Sequence, residues 1–167
     1  MGSWISLEPA PGFLLHLAAS TQGLCRLSIG ISERQFTDEL ARSAGTEAWR
    51  RNGEPVLREA ARQLGEYFRG ERRDFQLPLD LKGTRFQLEV WRALLRIPYA
   101  ETWSYADLAR EIGSPNAARA VGSANGANPV AIVVPCHRVV ASGGGLGGYS
   151  AGLDCKRKLL ALESGAA

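Results

Sequence analysis

The sequence predicts an α/β protein in two lobes, a strand-rich N-terminal lobe over residues 1–81 and a helical C-terminal lobe over residues 82–167. Three observations point there. Apolar residues alternate with period two in the first third, helix start and stop signals crowd the second half, and the charge balance changes sign between the halves. From Lys82 onward ten Lys and Arg face six Asp and Glu, whereas the residues before it carry ten against eleven. A basic C-terminal half fits a polyanionic partner, although so small an excess is also what ordinary surface charge gives.

Taken in order, Leu24-Cys25-Arg26-Leu27-Ser28-Ile29 alternates apolar and polar residues. Phe13 to Ala18 is a denser apolar run bounded by Pro11-Gly12 and Thr21-Gln22-Gly23, so the two segments predict a hairpin, with a further strand over Trp4 to Leu7. Glu54 to Arg69 reads as a helix. Pro55 suits its first position, Leu57, Ala60, Ala61, Leu64 and Tyr67 form one apolar face, and Gly70 closes it. Phe75, Leu77, Leu79 and Leu81 predict an edge strand, because Pro78 cannot donate to a ladder. The charged stretch Arg69 to Asp74 is expected near the lobe boundary.

The second lobe opens with a capping box, Thr84 with Gln87, followed by an apolar stripe of Phe86, Val90, Trp91, Leu94 and Leu95 that Pro98 stops. Ser104 caps a short helix through Ile112, Gly113 follows it, and Ser114-Pro115 opens another that runs to Asn125 or Gly126. This is helix-turn-helix spacing, a pattern shared with helical hairpins that bind nothing. From Ala117 to Ala124 the second of these helices is nearly all small residues except for Arg119. Such a smooth face can approach a neighbouring helix or a DNA groove, with Arg119 the one long cationic side chain in reach of a base stack or phosphates.

Hydrophobic residues make up 45% and charged residues 22% of the 167 residues, and no run of 18 apolar residues exists, so a globular chain without a membrane span is expected. The N-terminus shows no basic-then-apolar signal, which makes the cytoplasm the default compartment. Cys25, Cys136 and Cys155 are odd in number and widely spaced, with no C-x-x-C pair and only His16 and His137 as further soft ligands. Free thiols fit better than a zinc site or a disulfide framework. Gly143 to Gly148 contains G-x-G-x-x-G without a clear helix start after it, and reads as a mobile loop or lid rather than a dinucleotide site. Lys156-Arg157-Lys158 reads as a solvated helix face.

The chemistry concentrates near the end of the chain. Ala131-Ile132-Val133-Val134 predicts a buried strand that delivers Pro135-Cys136-His137-Arg138-Val139. The thiolate is the reactive form of cysteine, and neighbouring positive charge lowers its pKa. A histidine can take the thiol proton directly or through a water, and a carboxylate commonly fixes that histidine's tautomer.

Residues 82 to 163 resemble the O6-alkylguanine-DNA alkyltransferase family. The resemblance rests on Ala117-Ala118-Arg119-Ala120-Val121-Gly122, Asn128-Pro129-Val130, Pro135-Cys136-His137-Arg138-Val139, Gly147-Gly148-Tyr149-Ser150 and Leu159-Leu160-Ala161-Leu162-Glu163. Phe86-Gln87-Leu88-Glu89-Val90-Trp91 and Ile97-Pro98-Tyr99 extend it upstream. It implies a ribonuclease-H-like N-terminal lobe and a C-terminal lobe that binds DNA and accepts the alkyl group. It also implies a single-turnover reaction on O6-alkylguanine in duplex DNA, with O4-alkylthymine open as a second substrate, and no cofactor. Cys136 would be the acceptor, His137 a base acting through water, Glu163 the carboxylate that orients it, and Asn128 a brace of the turn. Tyr105 and Ser150 would hydrogen-bond the flipped base, with Tyr149 and Val139 also placed at the substrate. Arg119 would fill the vacated stack, while Ala118, Ala120 and Gly122 face the minor groove. Relatives that hold zinc use N-terminal Cys and His residues. Only Cys25 and His16 are available here, so no metal is expected. The protein is expected to act as a monomer, with cooperative loading on DNA left open. A lesion binder that transfers nothing and a Cys-His hydrolase that turns over are the rival readings.

Overall fold

In the computed structural model, residues 1–43 and 48–166 are described, and the chain divides into two compact units, Met1–Leu81 and Lys82–Ala167. The first unit is built on β1 (Gly2–Leu7), β2 (Leu15–Ala19), β3 (Leu24–Ile29) and β4 (Trp49–Arg51), in the order β3-β2-β1-β4. The expected hairpin is present, with Leu15 opposite Ile29 and Leu17 opposite Leu27, and β1 adds antiparallel to β2. The three-residue β4 pairs parallel to β1. Every residue of β2 is buried, so both faces of the sheet are covered. On one face Trp4 and Ala18 pack against Phe36 and Leu40 of α1 (Glu33–Ser43). His16 stacks on Phe36 and its two ring nitrogens pair with the Ser6 hydroxyl at 2.7 Å and the Ile31 carbonyl at 2.9 Å, so it is a satisfied core histidine. Helix α2 (Pro55–Phe68) lies along β1, β2 and β3 and buries Leu57, Ala60, Leu64 and Tyr67, the face expected from its apolar spacing.

The segment from Phe75 to Leu81 is not the edge strand its alternation predicts. It makes one isolated bridge, Leu24 to Leu79, through hydrogen bonds from Leu24 N to Pro78 O and Asp80 N to Leu24 O. The buried Gln63 side chain serves the backbone of Gln76, accepting from its N at 2.9 Å and donating to its O at 3.0 Å. The charged stretch before it lies within the first unit, where Arg72 pairs with Glu66 of α2.

In the second unit, α3 (Arg85–Leu94) starts at the Thr84–Gln87 capping box and buries Val90, Trp91 and Leu94. A two-residue β5 (Trp103–Ser104) leads into α4 (Tyr105–Glu111), capped reciprocally by Ser104 and Asp107. Helix α5 (Ala118–Gly126) begins later than Ser114-Pro115, which lie in the preceding turn. Its small residues let α3 and α4 both pack on it, and Trp91 Nε1 donates to Ala124 O at 2.8 Å. β6 (Val139–Val140) pairs parallel to β5, and α6 (Leu153–Ser164) closes the chain at Gly165, which adopts the left-handed conformation. Among the described residues no helix is long and apolar enough to cross a membrane.

Among the described residues of the first unit, Gly23 is the glycine that lies closest to other backbone. A Cβ there would lie 2.5 Å from Pro78 O, at a φ of +153° that side chains disfavour. Gly23→Ala is therefore expected to destabilise the protein by about 2–3 kcal/mol, read as a lower urea midpoint at unchanged m-value.

Candidate active site

Ile132–Val134 is buried as expected, with Ala131 half-buried, but the run is not a strand. Its backbone bonds close within a turn, Val133 N to Ala131 O and Val134 N to Val130 O, with Ile132 at a φ of +69°. Asn128 replaces the missing sheet partners, donating from Nδ2 to Val134 O at 2.8 Å and accepting from Val130 N at 3.0 Å. A β-branched residue at positive φ is strained, and the fully buried Ile132 side chain anchors it there. The turn delivers a short 3-10 helix, Cys136–Arg138, whose three residues are all buried.

Behind the thiol stands a hydrogen-bonded carboxylate. His137 Nε2 is 2.7 Å from Glu163 Oε1, and Arg138 donates from Nε and Nη2 to the two carboxylate oxygens, both at 2.9 Å. Arg138 Nη1 also holds Ile97 O at 2.7 Å, and Ala100 N reaches Glu163 Oε2 at 3.4 Å. Burial alone would raise the Glu163 carboxyl, but the hydrogen bonds from His137 and Arg138 outweigh it and hold its pKa at about 2. A carboxylate that far ionised can only accept, so Nε2 carries the imidazole proton. Nδ1 is then left as an acceptor, buried and with no partner among the described residues. Burial pushes the His137 pKa down, against the pull of Glu163, and keeps the ring neutral.

The thiol departs from expectation. Burial raises the Cys136 pKa above the ordinary thiol value, and hydrogen bonds with Asn128 and Tyr149 and the charge of Lys156 offset this only in part. Arg138, the expected activating cation, is committed to Glu163. The cation that acts on Cys136 is Lys156, and it is not on a solvated face. Its side chain is fully buried, with Nζ donating to Val139 O and Leu146 O at 2.5 Å and Gly148 O at 3.2 Å. Only Arg157 and Lys158 of that basic run are exposed.

Cys136 opens onto a cavity of about 430 Å³ lined by Tyr105, Tyr149, Ser150 and Gly122, together with Asn125, Gly126 and Gly148. Ser150 Oγ donates to Gly126 O at 2.9 Å. The Gly143–Gly148 segment is a loop, and Gly147 lies so close to Tyr105 that a Cβ would meet its hydroxyl at 2.5 Å. Of the residues expected at the substrate, Val139 does not line the cavity. It is buried in β6 and its carbonyl receives Lys156. Arg119 and Ala120 are exposed and Ala118 half-buried on the first turn of α5; none lines the cavity. Cys25 and Cys155 are half-buried and in no disulfide, and burial pushes Cys155 up to about 11. The described residues contain no group of three or more His, Cys, Asp or Glu able to hold a metal ion.

Fold and site together define a class, α/β proteins in which a shielded cysteine backed by a histidine–glutamate pair opens beside a helix-turn-helix. Residues 85–165 match the family model of the 6-O-methylguanine DNA methyltransferase DNA binding domain, and residues 14–81 that of its ribonuclease-like domain. The chain belongs to this family. It is 62% identical over 104 residues to the methylated-DNA–protein-cysteine methyltransferase of Mycolicibacterium paratuberculosis, a match spanning 62% of this chain and 63%, under two thirds, of that relative. Its structure resembles the O6-methylguanine methyltransferase of Mycobacterium tuberculosis, with a TM-score of 0.84 and 43% identity, over all of this chain and 95% of the other. The M. tuberculosis protein solved in complex with DNA gives the same TM-score at 42% identity, over 99% of this chain and 94% of the other.

The Glu163 pKa lies below its unfolded-state value, so its stabilisation is present above about pH 4.5 and is lost as pH falls towards 2. Loss of roughly 3 kcal/mol is expected across that window. In Glu163→Gln this part of the pH dependence disappears, stability at neutral pH drops because Arg138 loses its partner, and Cys136 reacts more slowly with a small electrophile. Urea titrations from pH 7 to pH 2 and timed thiol alkylation check both.

Proposed function

We propose that this protein repairs duplex DNA by moving the alkyl group of O6-alkylguanine onto Cys136, once per chain. The observation that carries the reading is a cysteine facing a cavity of base-sized volume with the His137–Glu163 pair behind it. The relatives' names and the DNA complex of the M. tuberculosis protein support it.

The chemistry follows from the charge states. The resting thiol and imidazole are both neutral. As sulfur approaches the alkyl carbon, the thiol proton passes through a water to His137 Nδ1, and Glu163 stabilises the imidazolium that forms. The S–C bond forms as the C–O6 bond breaks, and that electron pair goes to guanine. Tyr105 offers its hydroxyl where this charge develops. The guanine gains in the end the proton that the thiol lost. Tyr149 and Ser150 hold the base in the cavity, and Asn128 keeps the acceptor turn in place. The thioether is not reversed by hydrolysis, so the chain is spent.

A base stacked in a duplex cannot reach a cysteine that is 6% exposed, so it must be rotated out. Helix α5 supplies the means in this reading. Ala118, Ala120 and Gly122 allow close approach to the minor groove, and the exposed Arg119 fills the gap. All these groups come from one chain, which suits a monomer. A thiol that must stay reduced suits the cytoplasm.

Two experiments test this. Mixed with excess O6-methylguanine duplex, the protein is expected to gain one methyl group, mapped by mass spectrometry to the Cys136 peptide, and Cys25→Ser and Cys155→Ser chains should do the same. More lesions repaired than chains present would exclude the single-turnover reading, and DNA binding without any methyl gain would make the protein a lesion binder. Arg119→Ala is expected to slow repair of the duplex about tenfold or more while barely changing transfer from the free alkylated base. Equal losses on both would place Arg119 in the fold or the chemical step.

A further inference from the structure

We propose that the first unit carries a further binding site, at the start of α2, for the phosphoryl group of a small soluble phosphate ester. A cavity of about 480 Å³ lies there, wholly within that unit. Ser3 of β1, Ala19 of β2 and Arg50 of β4 line it, together with Glu54, Pro55 and Val56 where α2 begins. Ser3 stands directly opposite Ala19 on one side and Arg50 on the other, so the three side chains leave the same face of the sheet. Trp4 and Ala18 point to the other face and pack on α1. Ser3 is only 7% exposed, and a serine so placed ordinarily has its hydroxyl paired. Here the hydroxyl has no partner among the described residues, yet it is not fully enclosed, so a molecule in the cavity can reach it. Arg50 is exposed and makes no ion pair or hydrogen bond among the described residues, whereas the next residue, Arg51, pairs with Glu33.

The helix adds a third donor. Pro55 has no N–H, those of Leu57 and Arg58 both bond to Glu54 O, and no side chain caps α2. The Val56 N–H is therefore left without an acceptor among the described residues, at the positive end of a helix of 14 residues. A strand hydroxyl, a guanidinium and a helix N–H thus come from three different elements. Such an arrangement suits the tetrahedral oxygens of a phosphoryl group better than the two coplanar oxygens of a carboxylate. The cavity is larger than a bare oxyanion needs, and Ala19, Pro55 and Val56 give it an apolar wall for the organic body of an ester. One carboxylate opposes the anion. Glu54 accepts from Asn52 Nδ2 at 3.2 Å but keeps its charge beside the site, which holds the affinity down.

The test is a titration of the full chain with ribose 5-phosphate, followed by nuclear magnetic resonance. The amide signals of Ser3, Arg50 and Val56 are expected to shift, whereas ribose without the phosphate leaves them in place. In Arg50→Ala the half-saturating concentration should rise about tenfold or more, and in Ser3→Ala about threefold or more. Glu54→Gln removes the opposing charge and should lower it. Ser3→Ala is expected to bind more weakly yet keep its urea midpoint, because the hydroxyl it loses is unpaired in the protein. No shift with ribose 5-phosphate overturns the proposal, as does an equal shift with ribose. Unchanged affinity in both Arg50→Ala and Ser3→Ala overturns it too, since the anion would then be held elsewhere. Shifts of these amides with an undamaged DNA duplex but not with ribose 5-phosphate would make the group a DNA phosphate, and the soluble ester falls. Each outcome leaves the reading of Cys136 untouched, because no residue of this cavity belongs to that site.

Discussion

A buried carboxylate is stable only when its lone pairs are met, and Glu163 meets its requirement by drawing three stretches of chain together. It belongs to α6, and it accepts from His137 and Arg138 of the short 3-10 helix and from Ala100 N in the connection after α3. Arg138 carries the tie one bond further, to Ile97 O. The same interaction that fastens these segments sets the imidazole tautomer. Structural and chemical roles are therefore inseparable at this residue, and a substitution there acts on both.

Helix α6 carries a second inward charge seven residues earlier, on the same face. Lys156 binds the carbonyls of Val139, Leu146 and Gly148, and so holds the glycine-rich loop in the position where Gly147 meets the Tyr105 ring and Gly148 lines the cavity. A fully buried lysine would be costly without partners, and three backbone oxygens satisfy its three donors. Gly147 is required for clearance: a side chain there would collide with the tyrosine hydroxyl. The wall of the cavity and its floor are thus both hung from one helix.

Much of this was legible in the sequence where local chemistry decides the outcome. The Thr84–Gln87 box, the Ser104 cap, Pro55 and the alternation of β3 all act within a few residues, and each element formed where its signal lies. Ser32 and Gln35 form a similar box at the start of α1, a signal that sequence reasoning passed over. Failures came where distant partners decide. Ala131–Val134 has the composition of a buried strand, but Asn128 satisfies its backbone locally and the run turns instead. Phe75–Leu81 keeps a single bridge to Leu24, and at Gln76 the Gln63 side chain takes the place of a neighbouring strand. Lys156 reads as solvated because nothing in a K-R-K run says which cation faces inward. Among the candidate site residues, the cysteine–histidine–arginine run was visible as a motif, while Asn125 was hidden in a helix whose small residues drew attention to its outer face.

The resting site is electrically quiet, and this bears on how it would work. Burial keeps Cys136 protonated and His137 neutral, so the thiol, which the proposed reaction would use only once, is shielded from adventitious electrophiles. Charge appears only as the reaction proceeds, negative on sulfur and positive on the imidazole. Each sign meets a fixed opposite charge already in place, Lys156 for the first and Glu163 for the second. In the proposed reaction those groups need no reorganisation when the proton moves, which is the condition under which electrostatic stabilisation favours a transition state over its ground state. A substrate that fills the cavity would also exclude water from between these charges and strengthen both interactions. Reactivity would then be coupled to occupancy by a base, although the thiol itself is held above its ordinary pKa.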